Sequence, residues 1–286
     1  MIYFDTMPTQ RKMYIGTNEG TPGPTTTIQA KRMLSPINHR LYRSGRTYVQ
    51  KIDMDPNSPN IIEVYALADT WMVHNAWKLA FETYQRHNSD EIKAAGKNRA
   101  RWSDFQVGFD IGNLGLPQQY DSALNPGVYT AGEFEVSTVA DDDNNVFTFD
   151  WLSAAGTNIN ILDQYDLAGR TQVTPEDTET SAPYQTLNND ELDTQVFRDI
   201  QQHGDVPPYN ADFIGTNTPL VKIATLQGLS TATTGVARLS TGYFRAPCGI
   251  VVLHPAVGGG SAHTGDLSVT YKEGNYKGVH AVPMGE

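Results

Sequence analysis

The sequence predicts an all-β fold, a large β-sandwich or jelly roll with an amphipathic helical insert and long loops. Three observations predict it. Apolar residues alternate with period two along several stretches of the chain, and further candidates bring the strands to about ten. Turns rich in Gly, Pro, Thr and Asn separate those stretches, and only one long helical pattern interrupts them. The chain has 286 residues, 39% hydrophobic and 10% aromatic, which is enough for a sizeable core and too apolar for a disordered chain.

Residues 1–30 read as an irregular segment, because positions 16–27 are crowded with Gly, Pro and Thr. Two glycines beside a Thr run suggest a phosphate loop, but the Gly-Lys-Ser/Thr that such a loop requires is absent. Strands follow at Thr47–Met54 and Ile61–Ala66. The helical insert spans about 69–97. Val73, Ala76, Trp77, Ala80, Phe81 and Tyr84 trace one helical face, and Asp69 or Thr70 can cap its start. Asn88 and Glu91 are spaced as a capping box for a second, shorter helix.

The clearest alternation is Phe105, Val107, Phe109 and Ile111. Phe134–Thr138 and Phe147–Trp151 flank a run of Asp and Asn, strong turn chemistry, and predict a β-hairpin. Further strands are expected at Asn158–Leu162, Leu220–Leu226, Val236–Phe244, Gly249–His254 and Leu267–Lys272. Between Arg170 and Asn217 the alternation fails, and a long connection with one short acidic helix is expected.

Cys248 is the only cysteine, so no internal disulfide forms. It lies beside a buried-strand pattern and reads as a core thiol. No window approaches 18 apolar residues, so no membrane insertion is expected. The first residues lack the basic and then apolar pattern of a secretory signal peptide.

Charge is unevenly divided. The net charge is −11, yet residues 1–101 hold 14 Lys/Arg against 9 Asp/Glu, and residues 102–286 hold 7 against 23. Chance sorting of solvated charge and two surfaces facing different partners both fit this division. Within the basic part, Lys31, Arg32, Arg40, Arg43, Arg46 and Lys51 fall within 21 residues, with Tyr42 and Tyr48 among them. Cations neutralise phosphates and tyrosine faces stack on unpaired bases, so these six residues are the candidate nucleic-acid-binding site. Solvated charge and salt bridges to neighbouring subunits are the other readings. Asp141, Asp142 and Asp143 offer hard oxygen ligands and are the candidate calcium site, although the spaced Asp-x-Asp-x-Asp-Gly pattern is missing. The other reading is a solvated hairpin tip. No other cofactor is expected.

Catalytic patterns are scarce. The seven histidines show no zinc spacing, and there is no Gly-x-Ser-x-Gly elbow. Ser261 lies two residues from His263 in a Gly-rich loop, and Glu133 and Glu135 share a strand face. Neither arrangement fixes the geometry that catalysis needs. The chain is not expected to be an enzyme.

Four segments, in this order, resemble capsid proteins of small circular, Rep-encoding single-stranded DNA viruses. They are Ile62–Tyr84 (IEVYALADTWMVHNAWKLAFETY), Gly132–Leu152 (GEFEVSTVADDDNNVFTFDWL), Gly204–Asp212 (GDVPPYNAD) and Gly242–Leu253 (GYFRAPCGIVVL). The resemblance implies a single jelly-roll capsid domain over 31–286. It implies self-assembly with copies of itself into a closed icosahedral shell around a single-stranded DNA genome, a virion protein assembled inside the host cell. The family has no catalytic residues to carry over. It relies on an Arg-rich N-terminal arm, whereas only Arg11 and Lys12 are basic in the first thirty residues here. The nucleic-acid role therefore moves to the cluster at 31–51. A carbohydrate-binding β-sandwich and a β-rich hydrolase are the alternative functions.

Overall fold

The computed structural model describes residues 8–15, 26–58, 61–89, 93, 104–109, 119–120, 126–127, 137–140, 145–151, 158–170, 219–228, 237–255 and 267–285. The protein is mostly β, with two antiparallel sheets packed together and a few helices. One sheet runs β1 (Lys12–Ile15), β13 (Leu267–Tyr271), β3 (Arg46–Met54), β11 (Phe244–Ala246), and β14 (Ala281–Pro283) also pairs with β3. The other runs β10 (Leu220–Gln227), β4 (Ile61–Leu67), β12 (Ile250–Pro255), β2 (Thr26–Gln29). Residues 1–30, expected to be irregular, thus contribute an edge strand to each sheet.

Period-two alternation explains how the sheets meet. In β3 the even positions Tyr48, Gln50, Ile52 and Met54 are buried, while Val49, Lys51 and Asp53 are half-exposed. Ile62, Val64 and Ala66 of β4, Val251 and Leu253 of β12, and Val269 and Tyr271 of β13 join them in one core. Each fully buried side chain of this size contributes about 1.5–3 kcal/mol relative to exposure. Helix α1 (Ala30–Asn38) adds Met33 and Leu34 to this core. No helix or strand was expected at these residues. Pro36 removes one rung near the end, and His39 closes the helix in the left-handed region at φ 49°.

Helix α2 (Trp71–His87) is the expected insert, capped by Thr70, whose Oγ1 accepts from the Val73 N–H. Its face of Val73, Ala76, Trp77 and Ala80 packs on Phe105, Phe149, Trp151, Ile161 and Leu162, a second core. Leu67, Cys248 and Ile250, from the ends of the sandwich, close that core. The expected second short helix lies largely outside the described residues.

A hairpin pairs β7 (Thr138–Ala140) with β8 (Val146–Asp150), Thr138 to Thr148 and Ala140 to Val146; of the expected first strand Phe134–Thr138, residues 134–136 lie outside the described residues. β9 (Asn158–Asn160) lies parallel to β8. Residues 104–109 join this sheet through a single bridge, Gly108 to Asp150, rather than as a full strand. A small ladder pairs β5 (Gln119–Tyr120) with β6 (Pro126–Gly127).

Two further expectations need correction. Asn158–Leu162 was read as one strand, but β9 stops at Asn160 and α3 (Ile161–Arg170) begins. Asn160 Oδ1 accepts from the N–H groups of Leu162 and Asp163, which turns the chain into a helix. Val236–Phe244 was also read as one strand. It forms isolated bridges at Arg238 and Ser240, bends at Gly242 with φ 71°, and only then enters β11.

Candidate nucleic-acid interface

The six basic residues do not share one surface. Lys31 lies in the first turn of α1, where burial against the sandwich core takes it out of solvent entirely. Its Nζ sits 3.2 Å from Asp104 Oδ2. Burial pushes the Lys31 pKa down from its ordinary value, and Asp104 opposes that shift. Arg32, the next residue, is also buried. Neither is placed to touch a strand of nucleic acid passing over this chain. The two interleaved tyrosines are interior as well. Tyr42 donates to the Lys277 carbonyl at 2.8 Å and Tyr48 to the Arg43 carbonyl at 2.6 Å, and both rings are wholly buried. They hold the loop that follows α1 and are not stacking platforms.

Arg40, Arg43 and Arg46 gather at one end of the sandwich. Arg40 and Arg43 are exposed. Arg46 opens β3, and its guanidinium lies 3.7 Å over the Tyr276 ring while Nη1 donates to the Ala281 carbonyl at 3.0 Å. Lys51 lies five residues further along β3, about 17 Å away at strand rise. It belongs to the outward-facing set and pairs with Asp53 at 2.8 Å. Lys51 is therefore separate from the arginine group.

Two residues that the cluster did not reveal complete that end. Lys277 reaches it from the C-terminal part of the chain, held at φ 51°, and its ammonium donates to the Leu41 carbonyl. Desolvation, followed by repulsion from Arg43, Arg46 and Arg40, pushes its pKa below the ordinary lysine value, and Asp104 opposes this. Asp104 is the carboxylate that organises the group. It accepts from the Ser44 N–H at 2.9 Å and from Arg43 Nη1 at 3.3 Å while pairing with Lys31.

These residues surround a half-open cavity of about 330 Å³. Arg43, Arg46, Lys277 and Asp104 form its polar side, and Trp77, Phe81, Tyr84, Phe105 and Tyr276 its aromatic side. Trp77 stacks on Phe81, with centroids 5.1 Å apart and planes at 17°. Gly45 lies between the two arginines because a Cβ there would collide with the Trp77 indole, within 2.7 Å of Cη2. Three cations face one carboxylate that Lys31 already neutralises, so the cavity carries a positive field and a π-rich wall.

The remaining candidates are less informative. Asp141, Asp142 and Asp143, Glu133 and Glu135, and Ser261 with His263 lie outside the described residues. Among the described residues, no three His, Cys, Asp or Glu side chains come together as metal ligands. No described helix is long and apolar enough to cross a membrane. Cys248 is buried at φ 55° between Pro247 and Gly249, and burial pushes its thiol pKa up, so it is a core thiol as expected.

No family model matches the chain, and it matches none of the curated proteins or solved structures against which it was compared.

Proposed function

We propose that the chain is the subunit of an icosahedral viral shell enclosing single-stranded DNA, built on a jelly roll. The observation that carries this reading is the strand order. A jelly roll has eight strands in two Greek keys, an architecture frequent in viral shells and lectins. Counted along the chain, one of its sheets runs first, eighth, third, sixth, and the other sets the second strand beside the seventh. If β2, β3 and β4 are the first three strands and β10, β11 and β12 the last three, the four-stranded sheet has that order, β2–β12–β4–β10. β3 then pairs with β11 as second with seventh. On that count the fourth and fifth strands belong to residues 68–219, where β7, β8 and β9 form a sheet of their own, and β1, β13 and β14 are additions to the sheet of β3 and β11.

The cationic end of the sandwich supports the genome-facing part of the proposal. It supplies Arg40, Arg43, Arg46 and Lys277 without an Arg-rich arm. For the carbohydrate-binding alternative, Trp77 and Trp151 are buried and unavailable as sugar platforms, which leaves Trp71 as the exposed indole among the described residues.

Electron microscopy of the purified protein, with absorbance at 260 and 280 nm, tests the proposal. Uniform closed particles containing nucleic acid are expected. Arg43→Ala with Arg46→Ala should lower the packaged DNA more than it lowers assembly. A chain that stays monomeric over a wide range of salt, pH and concentration would refute the shell. Equal DNA content in variant and wild-type particles would refute the arginine assignment.

A further inference from the structure

We propose that the cavity between β3, α2 and the Tyr276–Lys277 turn binds one nucleotide as a unit, its phosphate on Arg43, Arg46 and Lys277 and its base against Phe81 and Tyr84. The inference deepens the reading above and rests on it for one point only, that the nucleotide belongs to a DNA strand.

Two halves of the cavity ask for two kinds of chemistry. On the polar side, three cations converge and the single carboxylate is already engaged by Lys31, Ser44 and Arg43. Desolvation first, and then repulsion from Arg43, Arg46 and Arg40, depress the Lys277 pKa. An anion seated there relieves that repulsion. The Arg46 guanidinium lies 3.7 Å over the Tyr276 ring and spends one N–H on Ala281, and these two contacts restrict the direction of its remaining donors. On the opposite side, Phe81 and Tyr84 are half-buried, and Trp77 backs Phe81 in a parallel stack. Inorganic phosphate would leave this wall unused, and an apolar ligand would desolvate the cations without compensation. A phosphate joined to a flat π-system uses both halves. A volume of about 330 Å³ lies at the lower end of the range for small-molecule sites. Gly45 matters here because any side chain at that position drives into Trp77 and displaces the wall.

The test uses the full chain and a labelled dT oligonucleotide read by fluorescence anisotropy, with dTMP, thymidine and inorganic phosphate as competitors. The expected result is that dTMP displaces the oligonucleotide and binds at least about tenfold better than either thymidine or phosphate. Phe81→Leu should weaken dTMP by about fivefold or more, the effect of losing about 1 kcal/mol of stacking, and leave phosphate binding unchanged. Arg43→Gln combined with Lys277→Gln should weaken dTMP and phosphate together by about tenfold. It should also make the oligonucleotide's log–log salt slope shallower by about 0.7. Circular dichroism and thermal melting verify the fold of each variant, and Tyr84→Leu replaces Phe81→Leu if the latter unfolds.

The proposal is overturned if dTMP binds no better than phosphate, or if both sets of variants leave dTMP affinity unchanged. Particles that assemble and package DNA while dTMP fails to bind overturn the pocket and leave the shell standing. Subunits that bind dTMP but never assemble support the pocket and remove the shell. If dTMP binds and the oligonucleotide does not compete, the nucleotide assignment is supported and a free nucleotide replaces the strand as its source.

Discussion

The Lys31–Asp104 pair makes a quantitative test of what anchors helix α1. Lys31 is wholly buried, and the Asp104 side chain is 7% exposed, with 3.2 Å between Nζ and Oδ2. Removing one member of a buried pair costs about 3–5 kcal/mol, because the other charge stays in the interior. The two members are not equivalent here. Asp104→Ala takes away the carboxylate facing a wholly buried ammonium and the acceptor for Ser44 and Arg43. It should cost the full ~3–5 kcal/mol. Lys31→Met removes the ammonium together with its desolvation penalty, and Asp104 retains Ser44 and Arg43. It should cost only about 1–2 kcal/mol, the loss of a hydrogen bond to a charged group.

The combined variant Lys31→Met with Asp104→Ala should be less destabilised than the sum of its single changes by more than ~0.5 kcal/mol. Urea unfolding of the purified protein measures all four chains, and an unchanged m-value shows that the unfolded reference has not moved. pH adds a second readout. The folded pKa of Lys31 is lowered below its unfolded value near 10.4. Between the two values the unfolded chain holds the extra proton, so this residue's contribution to stability rises with pH there, and Met abolishes that rise. The reasoning fails if Asp104→Ala lies within ~0.5 kcal/mol of wild type, or if the two sites are additive.

Two other predictions concern residues around this end. Burial raises the folded pKa of the Cys248 thiol, so its stabilising contribution is complete below the unfolded pKa of about 8.5 and declines as pH rises above it. Cys248→Ala should flatten the fall of stability between pH 9 and 10 by up to about 1.4 kcal/mol per pH unit, measured by denaturant unfolding; equal slopes would show that the thiol does not titrate on unfolding. Gly45→Ala forces the Trp77 ring to shift and should cost about 1–3 kcal/mol by overpacking, a fall in Tm of several degrees. An unchanged Tm would show that the ring moves freely.

The sequence revealed those features whose cause is local. Helix α2 was legible because six apolar residues repeat at helical spacing and Thr70 can cap them. Strands β3, β4, β10 and β13 were legible because each alternates over several residues with one face in a core, and β12 because Ile250–Leu253 is a short, continuous apolar run, buried throughout. Helix α3 had a readable signal in Asn160, whose side chain caps the next turn, but Ile159, Ile161 and Leu162 imitate a strand. Helix α1 was hidden by its own charges. Lys31 and Arg32 look like surface residues, and only Asp104, far along the chain, explains a lysine in the interior. The site was legible in Arg43 and Arg46 and illegible in Lys277 and the aromatic wall. They meet because β14 and the turn before it fold back along β3, a long-range contact that chain order does not show.

The pairing of the two large sheets has a kinetic consequence. Every strand pair in them joins a strand before residue 68 to one after residue 219. Among the described residues, no strand of either sheet pairs with the next strand along the chain, and the local antiparallel contact on them is the single Gln227–Arg238 bridge. Loop closure over such separations must precede any reward from pairing, which makes folding slow. While residues 1–67 emerge during synthesis, they have no strand partners and must wait with unpaired edges. Until the last strands arrive, those edges are the part of the chain most exposed to aggregation.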